Sequence, residues 1–66
     1  MKKGRIIEVF IPNKYIEKVY ASEIGFKVMV DNKEITIIEK INDENSNIYK
    51  DDYVLITDNG LKRIDS

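Results

Sequence analysis

The stretch Ile48-Tyr49-Lys50-Asp51-Asp52-Tyr53-Val54-Leu55-Ile56-Thr57-Asp58-Asn59-Gly60-Leu61-Lys62-Arg63-Ile64 reads as a strand, a tight turn and a return strand. Asn-Gly between two apolar runs is the strongest short-range signal for a β-hairpin. With Asn59 and Gly60 as a two-residue loop, both would take positive φ, which Asn tolerates and Gly adopts without a Cβ clash. That register sets Asp58 opposite Leu61 and Leu55 opposite Ile64, giving an apolar cross-strand pair. Val54, Leu55 and Ile56 are consecutive apolar residues, which predicts a strand covered on both faces.

The first nine residues of this stretch, Ile48 to Ile56, resemble the pattern apolar-x-Lys-Gly-Asp-x-Val-x-Val that leads into a late strand of small SH3-like and OB-like barrels. In those modules the Gly-Asp pair makes a tight bend before the strand. Asp51 stands here where the pattern has Gly, and Asp enters the left-handed region more readily than most residues. The resemblance implies an architecture and carries over no active site.

Upstream, Asn42 to Asn47 is a wholly polar, turn-forming loop. Before it, Phe26, Val28 and Val30 point inward with Lys27 and Asp31 outward and Met29 between, and Ile35 and Ile37 alternate likewise with Thr36 opposite. Asp31-Asn32 as the turn pairs Val30 with Lys33, Val28 with Ile35 and Phe26 with Ile37. The rival turn, Asn32-Lys33, opposes Asp31 to Glu34, an unfavourable like-charge pair. Ile38 falls on the other face and marks a twist or a second buried side. Asn13 to Glu23 admits two readings. Tyr15, Ile16, Val19, Tyr20 and Ile24 have helical spacing, with Asn13 as N-cap and Gly25 as C-cap. The preferred reading is a loop containing one helical turn, because Tyr and Val do little for a helix. Arg5 to Ile11 reads as the first strand, entered at a bend at Gly4 and ended by Pro12. Ile7, Val9 and Ile11 share one face of it, with Ile6 and Phe10 on the other.

Twelve isoleucines and five valines against two leucines and one alanine favour strands. Sixty-six residues make one domain, residues 1–66, with a single small core. The expected fold is all-β: a small antiparallel open barrel of four to five strands, SH3-like or OB-like, in a meander with one irregular connection after the first strand. Hydrophobic residues are 42% and charged residues 35%, a globular balance. Residues 1–33 hold seven basic and four acidic side chains, and residues 34–66 hold four and eight. The N-terminus lacks the apolar run of a signal peptide, and no segment approaches a membrane span. With no cysteine, a cytoplasmic location is expected.

The chain has no His and no Cys. Nucleophilic or acid–base chemistry built on either is excluded, and zinc would need carboxylates alone. Asp51-Asp52 and Asp43-Glu44 are adjacent, and on extended chain adjacent side chains point to opposite faces, so neither pair converges on one substrate atom without a bend. Asp43-x-Asn45-x-Asn47 matches the first half of a calcium loop. The sixth and twelfth positions, which need Gly and Glu, hold Ile48 and Val54. The glycines are isolated, so no phosphate-binding loop is present. The expectation is a non-enzymatic module with no cofactor and no metal.

Two binding surfaces remain. Tyr15, Ile16, Val19 and Tyr20, within Pro12 to Ile24, are large apolar groups that a barrel this small would struggle to bury. They are candidates for binding a protein partner or a second copy of the chain, as is an unpaired strand edge. Alternatively Lys2, Lys3, Arg5, Lys14 and Lys18, with Tyr15 and Tyr20, could bind nucleic acid. Glu8, Glu17 and Glu23 interrupt that basic set, and net charge is −1, so protein binding is the preferred reading.

Overall fold

A computed structural model of the chain describes residues 2–15 and 20–64. It is all-β, with five antiparallel strands in one sheet: β1 (Lys2–Phe10), β2 (Glu23–Val30), β3 (Lys33–Lys40), β4 (Tyr53–Thr57) and β5 (Gly60–Ile64). The spatial order is β3-β2-β1-β4-β5. The expected simple meander is therefore corrected. After β3 the chain returns by a long connection to lie beside β1, which is Greek-key topology. The sheet curls around one cluster of buried side chains: Ile6, Phe26, Val28, Val30, Ile48, Val54 and Leu61.

β1 starts earlier than its apolar run suggests. Lys2 to Arg5 pair with β4, and Arg5 to Phe10 pair with β2. A β-bulge between Ile6 and Glu8 resets the alternation. Ile6 opposite Val28 and Val9 opposite Phe26 both face the core, while Ile7 is the extra residue. The expected Ile7–Val9–Ile11 face does not form, and Ile11 lies beyond the strand, 48% exposed. Gly4 is no entry bend. It sits within β1 on the core face, where a Cβ would lie 2.5 Å from Cγ1 of Val28. Nor is Gly25 a helix cap; it lies inside β2 opposite Phe10. Among the described residues of the β1–β2 connection there is one helical turn, a 3-10 turn at Asn13–Tyr15.

The β2–β3 hairpin has the expected register, with Val30 opposite Lys33 and Phe26 opposite Ile37. Asp31 and Asn32 both take positive φ, 50° and 65°, the type I′ geometry whose twist matches the flanking strands. The β4–β5 hairpin differs from expectation by one residue. Thr57 pairs with Gly60 and Ile56 with Leu61, so Asp58 and Asn59 form the loop. Leu55 therefore opposes Lys62, not Ile64. The Thr57 hydroxyl accepts the Asn59 N–H at 3.1 Å and donates to the Gly60 carbonyl at 2.8 Å, fixing the turn one position earlier. Gly60 alone takes positive φ, 113°, just past the loop. The slip matters because side chains alternate with period 2. It delivers Leu61 to the core, 3% exposed.

Before β4 the chain bends sharply. Asp51 takes φ 73°, filling the left-handed position where the resembling pattern carries Gly. Its N–H bonds the Ile6 carbonyl, and the Ile6 N–H bonds the Asp52 carbonyl, both at 2.8 Å, so the bend is stitched to β1. Asp51→Val, which places a β-branched residue at positive φ, is expected to lower unfolding free energy by about 1–2 kcal/mol. Asp51→Gly should lie within about 0.5 kcal/mol of the parent, because relief of φ strain offsets loss of one exposed ion pair. Urea unfolding of the two variants checks the sign.

Candidate functional site

β3 and β5 are the two edges of the curled sheet, and the seam between them is where the barrel could stay open. At one end the seam is closed by side chains. Glu39 faces the core side, opposite Ile24. Its carboxylate accepts the Leu61 N–H of β5 at 2.9 Å and the Asn45 Nδ2 at 3.0 Å. Asn45 is fully buried within a second 3-10 turn, Asn45–Asn47. Its Nδ2 also donates to the Lys40 carbonyl at 2.7 Å, and its Oδ1 accepts the Asn42 N–H at 2.9 Å. The Asn42 side chain returns the favour, taking the Asn45 N–H at 2.8 Å. The polar loop expected here is thus a plug: buried Asn45 and Ile48 hold the β3–β4 connection against β5.

At the other end no strand pairs with the outer edge of β3 among the described residues. Among the described residues Glu39 is the one β3 side chain hydrogen-bonded across to β5. Towards Lys33 a cleft of about 380 Å³ enters the mouth of the barrel, lined by Lys2, Val30, Asp31, Lys33, Ile35 and Ile56. Its walls are aliphatic, from Val30, Ile35 and Ile56. Its rim is charged, with Lys2 Nζ 3.3 Å from the Asp31 carboxylate. Beside it β3 is exposed along most of its length, including Ile35 at 38% and Ile38 at 51%.

The residues singled out from sequence have mixed placements. Tyr20 is 76% exposed. Tyr15 is an anchor. Its hydroxyl meets Ser22 Oγ at 2.8 Å and donates to Glu23 at 3.0 Å, tying the 3-10 turn to the start of β2. The Lys14 ammonium bonds the same Glu23 oxygen and lies 5.4 Å from the Tyr15 ring centre. Lys14, then the Tyr15 hydroxyl, hold the Glu23 carboxyl below the usual carboxylate range, and Glu23 raises Lys14 in return. Ile16, Val19 and Lys18 lie outside the described residues.

Three of the described basic candidates are matched to carboxylates. Lys2 pairs with Asp31, Lys14 with Glu23, and Arg5 with Asp51 at 2.8 Å. Hydrogen bonding to Asp51 raises the Arg5 guanidinium further above its ordinary value. Lys3 instead sits 5.4 Å over the Tyr53 ring, on the outer face of β1 and β4. Glu39 and Asn45 at the latch and Ile35 and Ile56 in the cleft are not among the site candidates offered by sequence. Among the described residues no cluster of acidic side chains could hold a metal ion, and no helix is long and apolar enough to cross a membrane. No protein-family model, curated protein or solved structure matches the chain.

Proposed function

We propose that this chain is a non-enzymatic interaction module that receives an extended segment of a protein partner along the free edge of β3. The observation that carries this reading is the asymmetric seam. An eight-residue strand, Lys33–Lys40, is paired on one side only. Its outer edge is latched to β5 at Glu39 and open towards Lys33. An unpaired edge offers a row of backbone donors and acceptors, and a partner strand that completes it gains hydrogen bonds and a place for alternate side chains. Charged Lys33, Glu34, Glu39 and Lys40 along the same strand oppose indiscriminate pairing, the usual protection for an edge that must stay soluble until its partner arrives. Greek-key order in a five-stranded, partly open barrel supports the OB-like form of the resemblance over the SH3-like one.

Nucleic-acid binding has less support, because three of its five basic residues are already matched to carboxylates. What favours it is Lys3 over Tyr53, with Lys62 across Leu55 on the same outer face. Salt separates the two readings, since phosphate contacts weaken steeply as counterions are released and apolar strand addition does not. Peptides selected by display against the chain are expected to shift amide resonances of Lys33 to Lys40. Their affinity should hold from about 50 to about 200 mM salt. Shifts confined to Lys3, Tyr53 and Lys62, with oligonucleotide binding that collapses over that range, would overturn the proposal.

A further inference from the structure

Building on strand addition at β3, we infer that the segment received is a C-terminal one, ending in an apolar residue whose side chain enters the mouth cleft and whose free carboxylate meets Lys33. Three features of the cleft combine to give this. The first is direction. β3 runs from Lys33 at the Asp31–Asn32 turn to Lys40 at the latched end. A segment added antiparallel, the slightly more stable pairing, runs the other way and brings its C-terminal end to Lys33. The second is charge. Lys2 and Lys33 stand at the rim with one carboxylate between them, Asp31, which Lys2 already engages. The local balance is one positive charge, and among the described residues Lys33 makes no ion pair. A terminal carboxylate arriving there forms a charge-assisted contact, whereas a terminal ammonium would be repelled. The third is shape. Val30, Ile35 and Ile56 give aliphatic walls to a cleft of about 380 Å³, at the small end of ligand-sized pockets. One large apolar side chain fits that space, and a long flexible ligand would not be enclosed.

The latch sets the length of the added strand. With Leu61 held to Glu39 at 2.9 Å, β5 occupies the far end of the seam, so the incoming segment pairs only with the Lys33 to Ile37 part of β3. Recognition therefore concentrates in the last few residues of the partner. Lys33 supplies specificity for the terminus, Ile35 lies under the last side chain, and the backbone of β3 supplies the ladder.

The test uses a fluorescent pentapeptide, Thr-Val-Thr-Val-Leu, as its free acid and as its C-terminal amide, titrated by anisotropy against the full chain. The free acid is expected to bind at least ten-fold more tightly than the amide. Lys33→Glu should weaken the acid at least ten-fold and leave the amide little changed, with thermal unfolding unaltered because Lys33 is an exposed turn-flanking residue. Ile35→Lys should weaken both forms. Equal binding of acid and amide at β3 would overturn the C-terminal inference and leave strand addition standing. Failure of both peptides at millimolar concentration would also overturn it. Strand addition itself is then decided separately, by whether display-selected internal segments map to β3.

Discussion

Asn45→Ala should lower the stability of this domain by about 3 kcal/mol, a large share of what a 66-residue chain can hold. The side chain is fully buried and makes three hydrogen bonds, two as donor and one as acceptor. Alanine leaves the Lys40 carbonyl and the Asn42 N–H without that partner, and Glu39 loses one of the two donors it holds. Each stranded polar group costs about 1–3 kcal/mol where water cannot reach it. Asn45→Asp sharpens the argument. Aspartate can accept from Asn42 but cannot donate, and its carboxylate would face Glu39 where a 3.0 Å hydrogen bond now stands. The pair would ionise together only at a cost, so one carboxyl pKa in the folded variant rises above its unfolded value. A group raised on folding contributes stability below its unfolded pKa and loses it as pH climbs through the folded value. The Asn45→Asp variant is therefore expected to be less stable than Asn45→Ala near neutrality and to recover as pH falls towards about 4. Urea unfolding of both variants at two pH values checks this. An aspartate variant with no recovery in acid would mean that Glu39 and Asn45 are not in contact.

Gly60→Val comes second, at about 2–4 kcal/mol. Two effects add. The φ of 113° lies beyond the left-handed well that non-glycine residues tolerate, and a β-branched residue suffers most there. A Cβ would also stand 2.8 Å from Oε2 of Glu39, the oxygen that holds the Leu61 N–H. Valine at this position strains the turn and pushes the latch off β5. The two parts separate in a double-mutant cycle. In a Glu39→Ala background the steric part disappears and the conformational part stays, so Gly60→Val should cost measurably less there. Additive effects would show that the carboxylate does not sit against the turn.

The two hairpins show what sequence could and could not determine. The β2–β3 register was readable because only one choice of turn puts two left-handed-tolerant residues in the loop without opposing Asp31 to Glu34. At β4–β5 the expected and the observed registers both give Gly60 a positive φ, so the Asn-Gly signal alone does not separate them. The deciding group is the Thr57 hydroxyl, which caps the turn from one residue before it. In β1 the doublets Ile6-Ile7 and Val9-Phe10 hide the bulge, because either phase offers an apolar residue to the core. Gly4 looked like punctuation and is instead a place where strands approach closely. The seam was the least visible feature. Glu39 carries no signal of its own in the sequence beyond following Ile35 and Ile37 on one face of the strand. It becomes a latch only after the sheet has curled enough to bring Leu61 opposite, and no local pattern records that. The Tyr15 contacts were hidden for a similar reason, since Ser22 and Glu23 lie seven and eight residues on, across a connection with no regular period.

The placement of β1 at the centre of the sheet also sets the order in which the protein can assemble. β2–β3 and β4–β5 are local hairpins, able to form on microsecond timescales once their turns close. β1 must find β2 across the irregular loop, and β4 across most of the chain, Lys2 meeting Ile56. Contacts of that separation are slow, so folding in milliseconds to seconds is the expectation for this topology. During synthesis the first strand emerges early and waits with one flank bare. Val54 and Leu61, which complete the core, arrive last. Until they do, the core-facing apolar residues of β1 and β2 lack part of their cover.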